Sequence, residues 1–189
     1  AKYPKGRQAS AVMPLLDMAQ RQHENWIPIK AIELIASKLD MAKIRVLEVA
    51  TFYTMFNLKP VGKFFLQACT TTPCWLRGSD EMMRAIKDRY NIRSGETSTC
   101  GRFSLLEVEC LGACVNAPIL QVNDDFYEDL DYQTTGDLLD SLESGTPLSV
   151  GSVLGRSGSE ATNGATSLAT VKPKRVVPRA TAKRSSTDA

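Results

Sequence analysis

Two close-set cysteine pairs constrain this chain more than any other feature. Four residues separate the thiols of Cys69-Thr-Thr-Thr-Pro-Cys74, and three separate those of Cys110-Leu-Gly-Ala-Cys114. Each pair directly follows a stretch that reads as a strand. Phe64–Ala68 precedes the first; Ser104–Glu109, where Leu105 and Glu107 alternate with Leu106 and Val108, precedes the second. Adjacent strands of one sheet deliver their end loops to the same edge, so four sulfurs can converge there. The total of five cysteines is odd, which excludes a full set of intramolecular disulfides. A reducing compartment fits better, with thiols kept for metal or redox chemistry.

The rest of the chain reads as a helical segment, a mixed segment and a tail. Val12, Leu15, Leu16 and Ala19 recur at helical spacing within Ala11–Gln22, as do Ile32, Ile35, Ala36 and Leu39 after Pro28. Val46, Val49, Ala50 and Tyr53 continue the pattern across Ala42–Tyr53, which predicts a small antiparallel helical bundle over residues 1–58. Pro60 and Gly62 break it. From residue 59 to 146 the order becomes strand, a loop at Thr70–Pro73, helix (Ser79–Tyr90), strand, strand (Ile119–Val122), a turn at Asn123-Asp124-Asp125, a returning strand at Phe126-Tyr127, and a closing helix. That last helix, Thr134–Glu143, is expected to be capped by Thr134 or Thr135. This order is that of a thioredoxin-like domain, and the fold class is α+β.

Residues 147–189 are poor in large hydrophobics and rich in Gly, Ser, Thr and Ala, which predicts a linker or tail. From residue 151 onward seven Lys/Arg face two acids, so a net charge of +2 divides into +5 on the tail and −3 on the body. A broad basic surface for nucleic acid is not indicated. No apolar run approaches the roughly 20 residues that cross a bilayer, so any membrane association is expected to be indirect. Ala1-Lys2-Tyr3-Pro4 lacks the hydrophobic segment of a signal peptide and an initiator methionine, and a processed or trimmed start is expected.

Spacing alone leaves three readings of the cysteines. A 2Fe–2S cluster takes four thiolates, and loop amides can hydrogen-bond its sulfurs, with Gly112 and Ala113 allowing close approach. A structural zinc site more often shows a C-x2-C knuckle, and a thioredoxin-type redox pair needs C-x-x-C; neither is present. Buried inert thiols are the bland alternative. Cys100 stands in the polar stretch Thr97–Gly101 with no partner at ligand spacing, and reads as a bystander. His23, the one histidine, sits beside Glu24 and Asn25 as a solvated turn residue. The acids from Asp124 to Asp131 lack EF-hand spacing. With no GxGxxG, no P-loop and no nucleophile–base pair, the chain is not expected to carry out substrate chemistry alone.

Around these residues the chain resembles a known family. RVLEVATFYTMF (Arg45–Phe56), CTTTPC (Cys69–Cys74), EVECLGACVNAP (Glu107–Pro118) and FYEDL (Phe126–Leu130) are similar to the thioredoxin-like ferredoxin subunits of respiratory complex I, the 24 kDa subunits of NADH:ubiquinone oxidoreductase. Lys2-Tyr3-Pro4 with Gly6-Arg7, Leu16–Gln22 and Pro60–Lys63 extend the likeness over nearly all of residues 1–145.

The resemblance implies one 2Fe–2S cluster held by Cys69, Cys74, Cys110 and Cys114, and a role exchanging electrons with the FMN of a partner. In the family that partner binds FMN and NADH, and a large iron–sulfur subunit lies nearby; neither nucleic-acid binding nor direct membrane insertion is implied. The setting implied is the matrix side of the mitochondrial inner membrane, or alternatively the cytoplasmic face of a bacterial one. Soluble NAD-linked hydrogenases and formate dehydrogenases share the motifs. An echo of the family at Gly155-Arg156, Ser159-Glu160 and Thr166-Ser167-Leu168 leads us to expect residues 151–170 to be extended on a partner, although Ala161-Thr162-Asn163 departs from the family pattern.

Overall fold

The computed structural model describes residues 3–146, 148–156 and 158. Helix α1 (Val12–Gln22) admits Pro14 in its first turn, where the missing N–H removes no intrahelical bond. Helix α2 (Ile29–Lys38) follows Pro28, which takes the N-cap position in extended conformation. Helix α3 (Lys43–Phe52) completes the set. Their apolar stripes meet as the periodicity predicts: Leu16, Ile32, Ile35, Val46 and Ala50 form one core, joined by Ile27 and Phe56 from the connections. Fully burying one such leucine or isoleucine stabilises by roughly 1.5–3 kcal/mol. Tyr53 leaves the buried stripe because the helix stops at Phe52, and Phe52, Tyr53 and Met55 are all exposed. The Gln20 amide ties this end back to α1, accepting from the Asn57 N–H at 2.7 Å and donating to the Met55 carbonyl at 2.9 Å.

The sheet begins with β1 (Phe64–Cys69), whose neighbours are β2 (Phe103–Val108) in parallel and β3 (Ile119–Val122) antiparallel. Between β1 and β2 the chain forms α4 (Thr72–Leu76) and α5 (Ser79–Tyr90). Strands β3 and β4 (Asp125–Glu128) make a hairpin, then α6 (Tyr132–Ser144) returns across the sheet. One face of the sheet is dry. Leu66, Ala68, Phe103, Leu105, Leu120 and Val122 pack against Met82 and Ile86 of α5 and Leu138, Leu139 and Leu142 of α6. Asn123, at a left-handed φ of 56° in the hairpin turn, links this sheet to the helices. Its carbonyl oxygen accepts from the Phe65 N–H at 3.0 Å and the Asn25 amide at 3.2 Å, while its own amide donates to the Lys63 carbonyl at 3.1 Å.

Three expectations change. The cap of α6 is Asp131: its carboxylate accepts from the Thr134 N–H at 2.7 Å, and Thr134 reciprocates at 2.8 Å as the third helical residue of a capping box. Thr134 answers the cap rather than forming it. The stretch after Cys69 is not all loop, since α4 occupies its second half. The sheet also runs past residue 146, because Gly151–Ser152 forms β5, parallel to β4 and making the order β2-β1-β3-β4-β5. Gly151 and Ser152 therefore belong to the chain's own sheet, Arg156 bonds to Asp129 just after β4, and residues 147, 157 and 159–189 of the expected tail lie outside the described residues.

Gly62 marks the tightest crossing. A Cβ there would stand 2.6 Å from the Arg102 carbonyl, so the connection into β1 needs hydrogen at this position. Gly136, inside α6, has open space around its missing Cβ. Gly62→Ala should therefore cost about 1–3 kcal/mol in urea unfolding, as overpacking does. Gly136→Ala should gain up to about 1 kcal/mol from helix propensity.

Candidate metal centre

Parallel pairing builds the site. Cys69, the last residue of β1, lies opposite Val108, the last of β2, so the loops that follow leave the sheet side by side. Cys69 faces away from the α5–α6 core, on the same side as Phe65 and Gln67, because side chains alternate along a strand. After Thr71 the chain turns into α4, which tolerates Pro73 in its first turn and brings Cys74 back beneath Cys69. Both thiols are buried among Ala117 and Ile119, with Leu111, Ala113 and Phe126 packed around them. The second pair rides on the loop after β2. Cys110 is exposed and Cys114, half-buried, opens a short 3-10 turn through Asn116.

The four sulfurs gather as two pairs. Cys110 Sγ and Cys114 Sγ are 3.3 Å apart, and Cys69 and Cys74 are buried together in one small apolar cluster. Leu111 and Ala113, from the loop between Cys110 and Cys114, pack against the Cys69–Cys74 cluster and bring the two loops together. Among the described residues no three His, Cys, Asp or Glu side chains close around one point as ligands of a single ion.

Loop backbone supplies the remaining polar contacts. Gly112, at φ 82°, turns its N–H onto Cys110 Sγ at 3.4 Å. Glycine adopts this left-handed turn without strain, and no other protein atom lies within 4 Å of where a Cβ would stand. Leu111 packs against Cys69 and Cys74 from the second loop, and Ile119 of β3 is buried beside them. Thr71 Oγ1 lies 3.2 Å from Cys69 Sγ. Thr70 bonds through its hydroxyl to Glu107 of β2, a further tie between the two loops.

These surroundings set the metal-free thiols apart. Burial pulls Cys69 upward, but the Thr71 hydroxyl and the Leu111 and Thr71 amides outweigh it and bring the thiol below its ordinary value. Burial and then the hydrogen bond to Cys69 push Cys74 up to about 12. Cys114 is raised, first by its hydrogen bond with Cys110 and then by desolvation.

Cys100 stands apart, in the turn before β2, while Cys110 follows that strand; six residues of strand separate the two ends by roughly 20 Å. Its exposed thiol is lowered by the Ser98 hydroxyl and the Arg102 backbone. His23 is exposed and meets the edge of Trp26, far from chemistry of its own. A polar cavity of about 430 Å³ opens between the helices and the sheet and reaches Cys110, lined there by Gln20, Arg21, Gln67 and Gln121.

Residues 1–143 match the family model described as thioredoxin-like [2Fe-2S] ferredoxin. The chain belongs to this family. Among curated relatives, an NADH-quinone oxidoreductase subunit of Rickettsia bellii is 55% identical over 143 residues, covering 76% of this chain and 86% of the relative. The mitochondrial NADH dehydrogenase [ubiquinone] flavoprotein 2 of Dictyostelium discoideum is 48% identical over 168 residues, covering 89% and 68%. In fold, the chain resembles part of an NAD+-reducing [NiFe]-hydrogenase in the air-oxidized state, with a TM-score of 0.64 at 16% identity. That match covers 77% of this chain and a quarter of the hydrogenase chain (25%).

The family's cofactor is one 2Fe–2S cluster, and the thiols present fit it. Such a cluster takes four cysteine thiolates, two on each iron, and Cys69, Cys74, Cys110 and Cys114 are the residues that would hold it.

Metal-free, the raised Cys74 thiol has a consequence for stability. Between about pH 9 and 12 the folded chain keeps a proton that the unfolded chain has lost. The resulting stabilisation is whole below pH 9 and disappears as pH climbs through that window. Urea midpoints of the cluster-free chain should thus fall over this range, and Cys74→Ala should flatten the fall.

Proposed function

We propose that this chain is the 2Fe–2S electron-transfer subunit of an NADH:quinone oxidoreductase, with Cys69 and Cys74 on one iron and Cys110 and Cys114 on the other. The observation that carries the reading is the convergence of the two cysteine pairs at the common end of β1 and β2. The identities of about 50% to subunits of that enzyme, spread over most of the chain, support it.

When bound, the cluster supplies a site that takes up and gives back one electron. The chain's own residues hold and tune that site. Cys69 and Cys74 keep one side out of water, while Cys110 and Gly112 leave the other side near the surface. The Gly112 amide points at Cys110 sulfur, and donors to sulfur favour the more negative, reduced state. The electron has to come from elsewhere, since the reading gives this chain no flavin and no nucleotide. FMN and NADH belong, on this proposal, to a partner subunit that docks beside the cluster, with a large iron–sulfur subunit as neighbour.

Large apolar side chains stand ready around the loops. Trp75 and Leu76 follow Cys74 directly and are 57% and 70% exposed, and Val115 follows Cys114 at 54%. Exposed apolar groups that cluster on one surface mark a protein contact, and these three flank the cysteine loops, which supports a partner docking there. No helix among the described residues is long and apolar enough to cross a membrane, which accords with a place in a peripheral arm. The 168-residue match to a mitochondrial relative supports the matrix side of the inner membrane; the bacterial relatives make the cytoplasmic face of a bacterial membrane the alternative. A subunit of a soluble NAD-linked hydrogenase is a second reading, favoured by fold likeness. Co-purification with quinone-reducing membrane subunits separates it from the first.

Serine variants test the ligand set. Electron paramagnetic resonance of the reduced, reconstituted chain should show a 2Fe–2S signal that Cys69→Ser, Cys74→Ser, Cys110→Ser and Cys114→Ser each alter or abolish. Cys100→Ser should leave it untouched. Equal damage from Cys100→Ser, or a colourless chain with stoichiometric zinc, would contradict the assignment.

A further inference from the structure

The cluster loops are held from a direction that the cysteine motifs do not reveal. Asp129, just after β4, has a left-handed φ of 59° and a side chain only 1% exposed. A buried carboxylate of this kind needs a partner. Arg156 provides it, with Nε donating to one carboxylate oxygen at 3.1 Å and Nη2 donating to the other. The Ser152 hydroxyl adds a third donor at 2.5 Å. Planar guanidinium and carboxylate are matched in both bonds, a geometry that fixes direction as well as distance.

What this pair grips is the turn that carries Cys114. The same Arg156 Nη2 donates to the Val115 carbonyl at 3.3 Å, and the Asp129 N–H donates to the Asn116 carbonyl at 2.7 Å. Asn116, itself buried, donates through its side-chain amide to Glu128 at 2.7 Å. Both residues that follow Cys114 are thereby tied to the Asp129–Arg156 unit, whereas among the described residues Cys110 is hydrogen-bonded within its own loop, to the Gly112 amide and Cys114. The clamp is a built feature. Ser152, in β5, accepts the Leu154 and Arg156 N–H groups on its hydroxyl, both at 3.2 Å, and shapes the turn that presents the guanidinium. Arg156 also lies beyond residues 1–143, the stretch that the family model matches.

We propose that Arg156, seated on Asp129, is a positioning residue for the cluster: it holds the Val115 carbonyl and so sets the angle at which Cys114 presents its sulfur beside Cys110. The inference rests on Cys114 being an iron ligand. Lysine could answer the Asp129 charge but has one nitrogen where arginine has three, so it cannot make the bidentate pair and reach Val115 together.

The test uses the full chain reconstituted with its cluster and compares Arg156→Met, Arg156→Lys and Cys114→Ser with the parent. The readouts are the visible circular dichroism of the oxidised cluster, the resonance g-values of the reduced one, and the rate of iron loss to EDTA. Arg156→Met should shift both spectra and speed iron loss at least five-fold, with Arg156→Lys intermediate. Should Arg156→Met fail to fold, Arg156→Lys answers by the same spectra. Spectra and iron loss unchanged in the arginine variants, or a lowered melting temperature with unchanged spectra, overturn the inference while a changed Cys114→Ser spectrum keeps the ligand reading. An unchanged Cys114→Ser spectrum overturns the ligand reading itself.

Discussion

The parallel pairing of β1 with β2 is the constraint on which the rest of this molecule depends. Six consecutive residues, Phe64–Cys69, face six others, Phe103–Val108, without a bulge. Both strands therefore end at the same edge of the sheet, and the two cysteine loops start about one strand spacing apart, roughly 5 Å. Register matters as much as direction. A slip of one residue would turn Cys69 from the side of Phe65 and Gln67 to the side of Leu66 and Ala68, into the packed core beneath α5 and α6. Phe103 and Leu66, both fully buried, hold the register that prevents this.

The two faces of the sheet divide the work. The face under α5 and α6 is continuous and apolar and supplies the packing that keeps the strands in place. The other face carries Gln67 and Gln121 into the polar cavity that ends at Cys110, and is closed further along by the helical segment through Asn123 and the Arg21–Asp124 ion pair. Along the site itself burial runs in one direction, from Cys74 at the bottom to Cys110 at the surface. The protein thus encloses one pair of thiols and offers the other to whatever covers the loops.

Much of this was legible in the sequence because it rests on local pattern. The helical stripes around Leu16, Ile32 and Val46, the strand alternation before each cysteine pair and the span of α5 all follow from spacing alone. The ambiguity over metal type lay in the spacing, which fits more than one centre; the surrounding residues and the family resolved it. What escaped was nonlocal or reciprocal. Thr-Thr-Pro reads as loop, yet proline in a first helical turn costs nothing, and α4 forms. Asp131 and Thr134 satisfy each other in one capping box, so Thr134 reads as the cap until the bonds show Asp131 in that place. Gly151–Ser152 is too short to announce a strand and becomes one only beside β4. Arg156 stood out only as part of the family echo at Gly155-Arg156; its pairing gave no signal, because its partner Asp129 lies 27 positions earlier and is buried by the fold.

The central claim is that the four converging thiols hold a dinuclear iron centre. Iron K-edge X-ray absorption of the reconstituted full chain tests it most directly, because the fine structure reports both the ligand atoms and any second metal. The account predicts an all-sulfur first shell and one iron–iron vector, with two irons per chain. A shell containing nitrogen or oxygen, a single iron without a metal neighbour, or zinc in its place would contradict it.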